Sequence, residues 1–324
     1  MSGDARQSER RPDVLAIHPG ALGDVIIFGH LLKAVGGQAT LLSGGEKGKL
    51  LMGLGVVART LDFDSLPMHE LFIDPPPAAS RLGGMLGRRE WIISCFGGDS
   101  PLARQRLEES TGASRLDFLP VRPGVDCDSH LIDLWAGQLA LPPIPKRPPP
   151  WPVPADWRDA AARQLQAAER ARGLPVGPRG YIVIHPGAGS AAKCWPLKHF
   201  AELAQCCRDE LDLSPVFVLG PVECEQWTAE DLAILCDSKA LRITCPSLQI
   251  LAGLLAGATG FVGNDSGPAH LASAIGVASV VLFGPTSPVH FAPLGQAVQV
   301  LAAPALADIP LARVVSRFSG DAHR

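Results

Sequence analysis

The chain has 324 residues, 47% hydrophobic and 19% charged, with a formal net charge of −3. That length suits two domains, each burying its own core, and the balance excludes disordered and fibrous classes. Lys and Arg are scattered, so the broad basic footprint that a phosphate backbone demands is missing and nucleic acid is not an expected partner.

In chain order, the opening MSGDARQSERRP is polar where a secretory signal needs an apolar stretch, so no export signal is expected. A buried strand is predicted over 14–18. It runs into His18-Pro19-Gly20-Ala21-Leu22-Gly23-Asp24-Val25, a turn that leads to a helix over 24–35. Gly20, Ala21 and Gly23 make this a loop whose backbone can approach a ligand closely. Asp24 falls near the helix start, where the dipole favours a carboxylate even without a chemical task. Strands follow over 39–42 and 91–96. Arg81, Arg88, Arg89, Arg104, Arg106, Arg115 and Arg122 stand among five acids in the span 81–122. Most of them read as solvated helix faces.

The segment 141–154, LPPIPKRPPPWPVP, holds eight prolines and is the natural linker. Domains are accordingly expected at 1–150 and 151–324. Beyond the linker, strands are predicted over 181–185, 216–219, 260–263 and 279–283, and helices over 155–172, 196–210, 247–256 and 267–275. Alternation of this kind describes doubly wound parallel sheets. Ile184-His185-Pro186-Gly187-Ala188 echoes Ile17-His18-Pro19-Gly20-Ala21, which suggests two Rossmann-like halves facing across a cleft. The run 274–284 is too short to span a bilayer and reads as a helix end plus a strand.

Three loops of the second half suit phosphate or ribose. Gly187 and Ser190 lie in a small-residue loop ahead of Lys193 and a helix; it either cradles phosphate or is a surface loop with a solvated lysine. Asp265, Ser266, Gly267 and His270 surround another helix start, where amides and a hydroxyl meet a diphosphate or simply cap the helix. After a third strand, a carboxylate at Glu223 or Glu225 either accepts bonds from ribose hydroxyls or simply forms the acidic first turn of a surface helix. Phe283-Gly284-Pro285-Thr286-Ser287-Pro288 either closes over a nucleotide or makes a turn. Cysteines 95, 127, 194, 206, 207, 224, 236 and 245 form no zinc pattern and are expected to be reduced core thiols in a cytoplasm.

Taken in order, GALGDV, HPGA with KCWP, GPVE, NDSGPAHLASAIG and LFGPTSP resemble glycosyltransferase family 9, the ADP-heptose:lipopolysaccharide heptosyltransferases and their relatives. The resemblance implies an α/β GT-B fold, with acceptor bound by the first domain, nucleotide sugar by the second, and the final segment 311–318 crossing back to the first. It implies that Asp24 is the catalytic base and that Lys193 neutralises the leaving diphosphate. The family's Asp-Thr-Gly-x-x-His signature falls on Asp265, Ser266, Gly267 and His270, with serine for threonine. No metal or other cofactor is implied, although Asp62-Phe63-Asp64 and Asp126-Cys127-Asp128 have Asp-x-Asp form; neither lies in the donor half. The expected partners are a nucleotide-sugar donor and a saccharide or lipid-linked saccharide acceptor, the latter allowing peripheral contact with the inner membrane surface. Rival readings are a GT-B-type sugar-nucleotide epimerase and a non-catalytic nucleotide-sugar-binding protein.

Overall fold

The computed structural model describes residues 12–319 apart from 37, 78, 79, 125 and 237, so the polar opening stretch 1–11 lies outside the described residues. The first half runs β1 (Asp13–Ile17), α1 (Leu22–Val35), β2 (Gln38–Ser43), α2 (Lys47–Gly53), β3 (Arg59–Asp62), α3 (Leu82–Leu86), β4 (Trp91–Ser94), α4 (Pro101–Thr111), β5 (Arg115–Phe118) and α5 (Leu131–Gln138). The second runs α6 (Ala155–Arg172), β6 (Tyr181–His185), α7 (Leu197–Asp209), β7 (Ser214–Leu219), α8 (Pro221–Gln226), α9 (Ala229–Cys236) and β8 (Leu241–Thr244). It continues through α10 (Leu248–Gly257), β9 (Gly260–Asn264), α11 (Gly267–Ala274), β10 (Ser279–Phe283), α12 (Pro288–Phe291), β11 (Val298–Ala302) and α13 (Leu311–Ser319).

Each half is built on a parallel sheet, ordered β3-β2-β1-β4-β5 and β11-β10-β9-β6-β7-β8. The order reverses beside the strand that opens each sheet, between β1 and β4 and between β6 and β9. At such switch points the carboxyl ends leave a crevice for ligand. All seven predicted strands are present. The four that sequence did not mark, β3, β5, β8 and β11, are the four sheet edges, where polar residues interrupt the apolar run; β8 alternates buried and exposed residues.

The cores depart from the two-core expectation. One apolar cluster belongs to the first half, around Leu15, Ile17 and Leu42, and one to the second, around Ile182, Trp195 and Phe200. The largest joins both halves, with Val14, Phe28 and Trp135 in the same cluster as Trp157, Phe261 and Leu271. Trp151 of the proline-rich segment is part of it: its N–H donates to Ala274 O at 2.8 Å and its ring lies 4.5 Å from that of His30 in α1. The segment is therefore a packed wedge rather than a free tether.

Two further expectations are corrected. Helix α13 does not return to the first half. Its Val314, with Leu311, Val315 and Phe318, joins the second half's own cluster beside α7, because that apolar stripe fits the surface around Phe200 and Ile309. The cysteines are not all core thiols either. Cys95 and Cys207 are buried and Cys127, Cys194 and Cys206 half-buried, but Cys224 and Cys245 are exposed. The side chain of Cys236 lies outside the described residues. Among the described residues no helix is long and apolar enough to cross a membrane.

Candidate active site

Helices α1 and α11 meet at their N-termini, and two glycines let them. A Cβ on Gly267 would stand 2.7 Å from Leu22 Cβ, and one on Gly23 would stand 2.9 Å from His270 Cδ2. These glycines thus serve the approach of the two halves. Around the junction lies a cavity of about 720 Å³ at the carboxyl ends of both sheets. Gly20, Ala21, Gly23 and Asp24 line it from one half; Lys193, Glu223, Asp265, Ser266, Gly267 and His270 line it from the other.

Gly187 and Ser190 are not among the lining residues. Gly187 is buried behind Glu223, where a Cβ would come within 1.8 Å of Glu223 Oε1, so its smallness serves that carboxylate. Ser190 is exposed at the outer end of the loop, whose Ala188 and Gly189 face the cavity instead.

Asp24 sits in the first turn of α1 behind an N-cap, Ala21, that has no capping side chain. Burial pushes its carboxyl up from the ordinary range; the His270 ring and a bond from the Ala21 backbone oppose this, while nearby Asp265 adds to it. The loop before it is held on both sides. Lys47 Nζ donates to Gly20 O at 2.7 Å and Pro19 O at 3.3 Å, and Gly20 N donates to His18 Nδ1 at 3.1 Å. Burial, then the Lys47 charge, lowers His18 to about 4, so its ring is neutral and accepts that bond.

On the facing side, Asp265 Oδ2 is 3.2 Å from Lys193 Nζ and accepts the Thr286 hydroxyl at 2.8 Å, while Oδ1 lies 3.7 Å from His270 Nε2. Burial alone would raise the Asp265 carboxyl, but His270, Thr286 and Lys193 together hold it below the usual range. Behind it, buried Asn264 accepts from Trp195 N at 3.0 Å and donates to Pro186 O at 2.8 Å, tying the HPGA, KCWP and NDSG segments into one unit. Ser266 Oγ is buried without a hydrogen-bond partner at the N-terminus of α11, where free amides and the helix dipole suit an anion. Glu223 reaches back to Gly220 N at 2.6 Å and faces the cavity, whereas Glu225 is exposed and does not line it.

Among the described residues, hydrogen bonds that cross between the halves include Leu248 N to Glu46 Oε2 at 3.1 Å, Gly295 N to Lys146 O at 3.1 Å, His130 Nε2 with Ala292 O at 2.9 Å, and His290 Nε2 with Cys127 O at 2.5 Å. Of the seven arginines, Arg122 lines the cavity. Arg89 pairs with Asp13, Arg106 with Asp74 and Glu109, and Arg115 with Asp117 while stacking on Trp91. Asp62 caps its own turn by accepting from Asp64 N and Ser65 Oγ. Among the described residues no group of three or more His, Cys, Asp or Glu is placed to hold a metal ion. Asn264 and Thr286 stood within marked segments but without a role of their own, and Lys47 acts on the site without having been marked at all, because its contact spans 27 residues.

The model of glycosyltransferase family 9 (heptosyltransferase) matches residues 142–317, more than half of the chain. The chain belongs to glycosyltransferase family 9. The matched region carries every cavity-lining residue of the second half named above, while the GALGDV loop precedes it. Among its relatives, lipooligosaccharide heptosyltransferase 2 of Haemophilus influenzae is 32% identical over 146 residues, covering 43% of this chain and 41% of the relative. Lipopolysaccharide heptosyltransferase 1 of Pseudomonas aeruginosa is 33% identical over 139 residues, 43% of this chain and 37% of the relative. These matches therefore span about two fifths of each relative. In three dimensions this family 9 chain resembles a glycosyl transferase family 9 structure from Veillonella parvula (TM-score 0.74, 17% identity, 95% and 96% of the two chains covered). It also resembles the E. coli ADP-heptose heptosyltransferase II (TM-score 0.73, 21% identity, 95% and 98% covered). Its fold is GT-B.

Proposed function

We propose that this family 9 protein is an inverting glycosyltransferase that moves a heptose from ADP-heptose to a saccharide acceptor of the lipopolysaccharide-core type. The observation that carries the reading is the sharing of one cavity by Asp24, on the first half, and the anion-suited group of Lys193 and Ser266, on the second. The names of its relatives support the donor and acceptor class. In this reading residues 1–150 bind acceptor, residues 151–324 bind donor, and the protein works in the cytoplasm, with peripheral contact to the membrane face that presents its acceptor.

Asp24 takes the proton of an acceptor hydroxyl as that oxygen attacks the anomeric carbon from the face opposite the leaving diphosphate. The carboxyl's raised affinity for a proton makes it a better base than a free aspartate. As the glycosidic bond breaks, negative charge grows on the diphosphate, where the Lys193 ammonium, the Ser266 hydroxyl and the α11 amides meet it. Lys193 then divides its charge between Asp265 and the diphosphate, and protein groups supply the neutralisation without a metal. Glu223 is the ribose ligand, with Asp265 and His270 ordering the sugar side.

The test is to incubate the protein with ADP-heptose, a heptose-deficient core acceptor and EDTA, reading ADP release and product mass. Heptosylated acceptor is expected. An altered sugar nucleotide formed without acceptor would instead identify an epimerase, and binding without turnover a non-catalytic protein.

A further inference from the structure

Cys224 and Cys245 are set apart from the other thiols. Cys224 lies in α8 and Cys245 directly follows β8, the neighbour of the strand that feeds α8; Leu219 and Thr244 are register partners. Both side chains are exposed, and their Sγ atoms are 3.2 Å apart. A disulfide needs about 2.05 Å, so roughly 1 Å of sulfur movement separates this pair from a bond. The hydrogen bond with Cys245, then burial, raises the Cys224 thiol to about 11. Cys245 also holds a φ of 45°, a left-handed backbone that costs a non-glycine residue free energy.

The residue before Cys224 is Glu223, the residue after Cys245 is Pro246, and both line the cavity. Glu223 has little slack: Gly220 N binds one carboxylate oxygen at 2.6 Å, and only a glycine fits at position 187 beside the other. A shift of the first turn of α8 must therefore move the carboxylate.

We propose that Cys224 and Cys245 form a reversible disulfide site that sets the position of the Glu223 wall of the cavity. The oxidant is a low-molecular-weight disulfide. The thiolate of one cysteine attacks it, forming a mixed disulfide and releasing one small thiolate; the thiolate of the other cysteine displaces the second. Two protein thiols are oxidised, one small disulfide is reduced to two thiols, and the two cysteine protons end on those thiols. The new bond draws α8 toward the end of β8, and the oxidised form binds nucleoside diphosphate more weakly. That last effect rests on the proposed donor site; the bond itself does not.

The full chain is equilibrated with glutathione disulfide and followed by alkylation and peptide mass, by hydrogen exchange of residues 220–226, and by ADP titration. The expected results are a peptide pair linked through Cys224 and Cys245, changed exchange in 220–226, and ADP affinity lowered about tenfold or more, as loss of one hydrogen bond to the Glu223 carboxylate would give. Dithiothreitol reverses all three, and Cys224→Ser and Cys245→Ser bind ADP like the reduced protein under both conditions. Free alkylation of both thiols after the treatment overturns the proposal, as does a linked protein with unchanged exchange in 220–226 or unchanged ADP affinity. If the link forms with changed exchange and ADP binds neither form, the donor reading fails and the disulfide site stands.

Discussion

Asp24 closes the first turn of α1 through the Ala21 N–H while facing the cavity, and one substitution separates the two tasks. Asparagine keeps the turn closed, so folding and ADP binding should persist in Asp24→Asn, while transfer falls by ~10²–10⁴ through loss of the proton acceptor. The raised carboxyl fixes the sign of the pH dependence. The folded protein holds this proton more tightly than the unfolded chain, so ionising Asp24 costs stability as pH rises from about 3.9 through the folded value. At neutral pH the asparagine variant should therefore melt at or above wild type. In the wild type the rate should fall on the acid side at a pH above that of an ordinary aspartate, with the limb absent from any residual activity of the variant. A wild-type rate in Asp24→Asn removes it as the base. For Lys193 the charge itself is at issue. Lys193→Ala should weaken ADP binding by about 10- to 100-fold at low salt, the range for a bond to a charged group. Calorimetric titration giving an unchanged Kd would end its assignment to the diphosphate.

Between elements, α6 crosses α10 with backbone close against backbone. A Cβ on Gly253 would stand 2.3 Å from Trp157 O and 2.8 Å from Ala161 Cβ, and the backbone carbonyl cannot swing aside as a side chain would. Gly253→Ala should cost about 1–3 kcal/mol by overpacking, read as a lower urea midpoint at unchanged slope. An alanine variant as stable as wild type would mean that the crossing relaxes freely. The same scale shows what the sequence could convey. Strands buried on both faces, such as YIVIH of β6, write a continuous apolar run that needs no context. Edge strands such as RTLD of β3 and RLDF of β5 are half-buried to exposed throughout, carry charged residues among the apolar ones, and read as loop. The site divides in the same way. Loops after interior strands were legible because glycine, proline and acid cluster there. The Lys47 clamp and the burial of Gly187 behind Glu223 were not, since both depend on packing between segments far apart in the chain.

For the whole molecule, the large apolar cluster common to the two sheets couples their folding. Heat should unfold the protein in a single calorimetric transition, with calorimetric and van't Hoff enthalpies equal, and two resolved transitions would show that the shared cluster contributes little. Trp151 is the natural probe. Truncating it to alanine removes a buried ring packed on His30 and should cost about 3–5 kcal/mol. The proline-rich composition of its segment announced a connection, and nothing in it announced a keystone.

That wedge bears on how the chain can be recombined. A hybrid cut within 141–154 would carry the loops of the proposed donor site intact into a new protein yet leave Trp151 facing a foreign helix and Gly267 opposite a residue other than Leu22. The interchangeable unit is therefore the second sheet together with α1, whose Gly23 and Leu22 fit against it, and a graft that follows the linker alone divides the lining of one cavity in two.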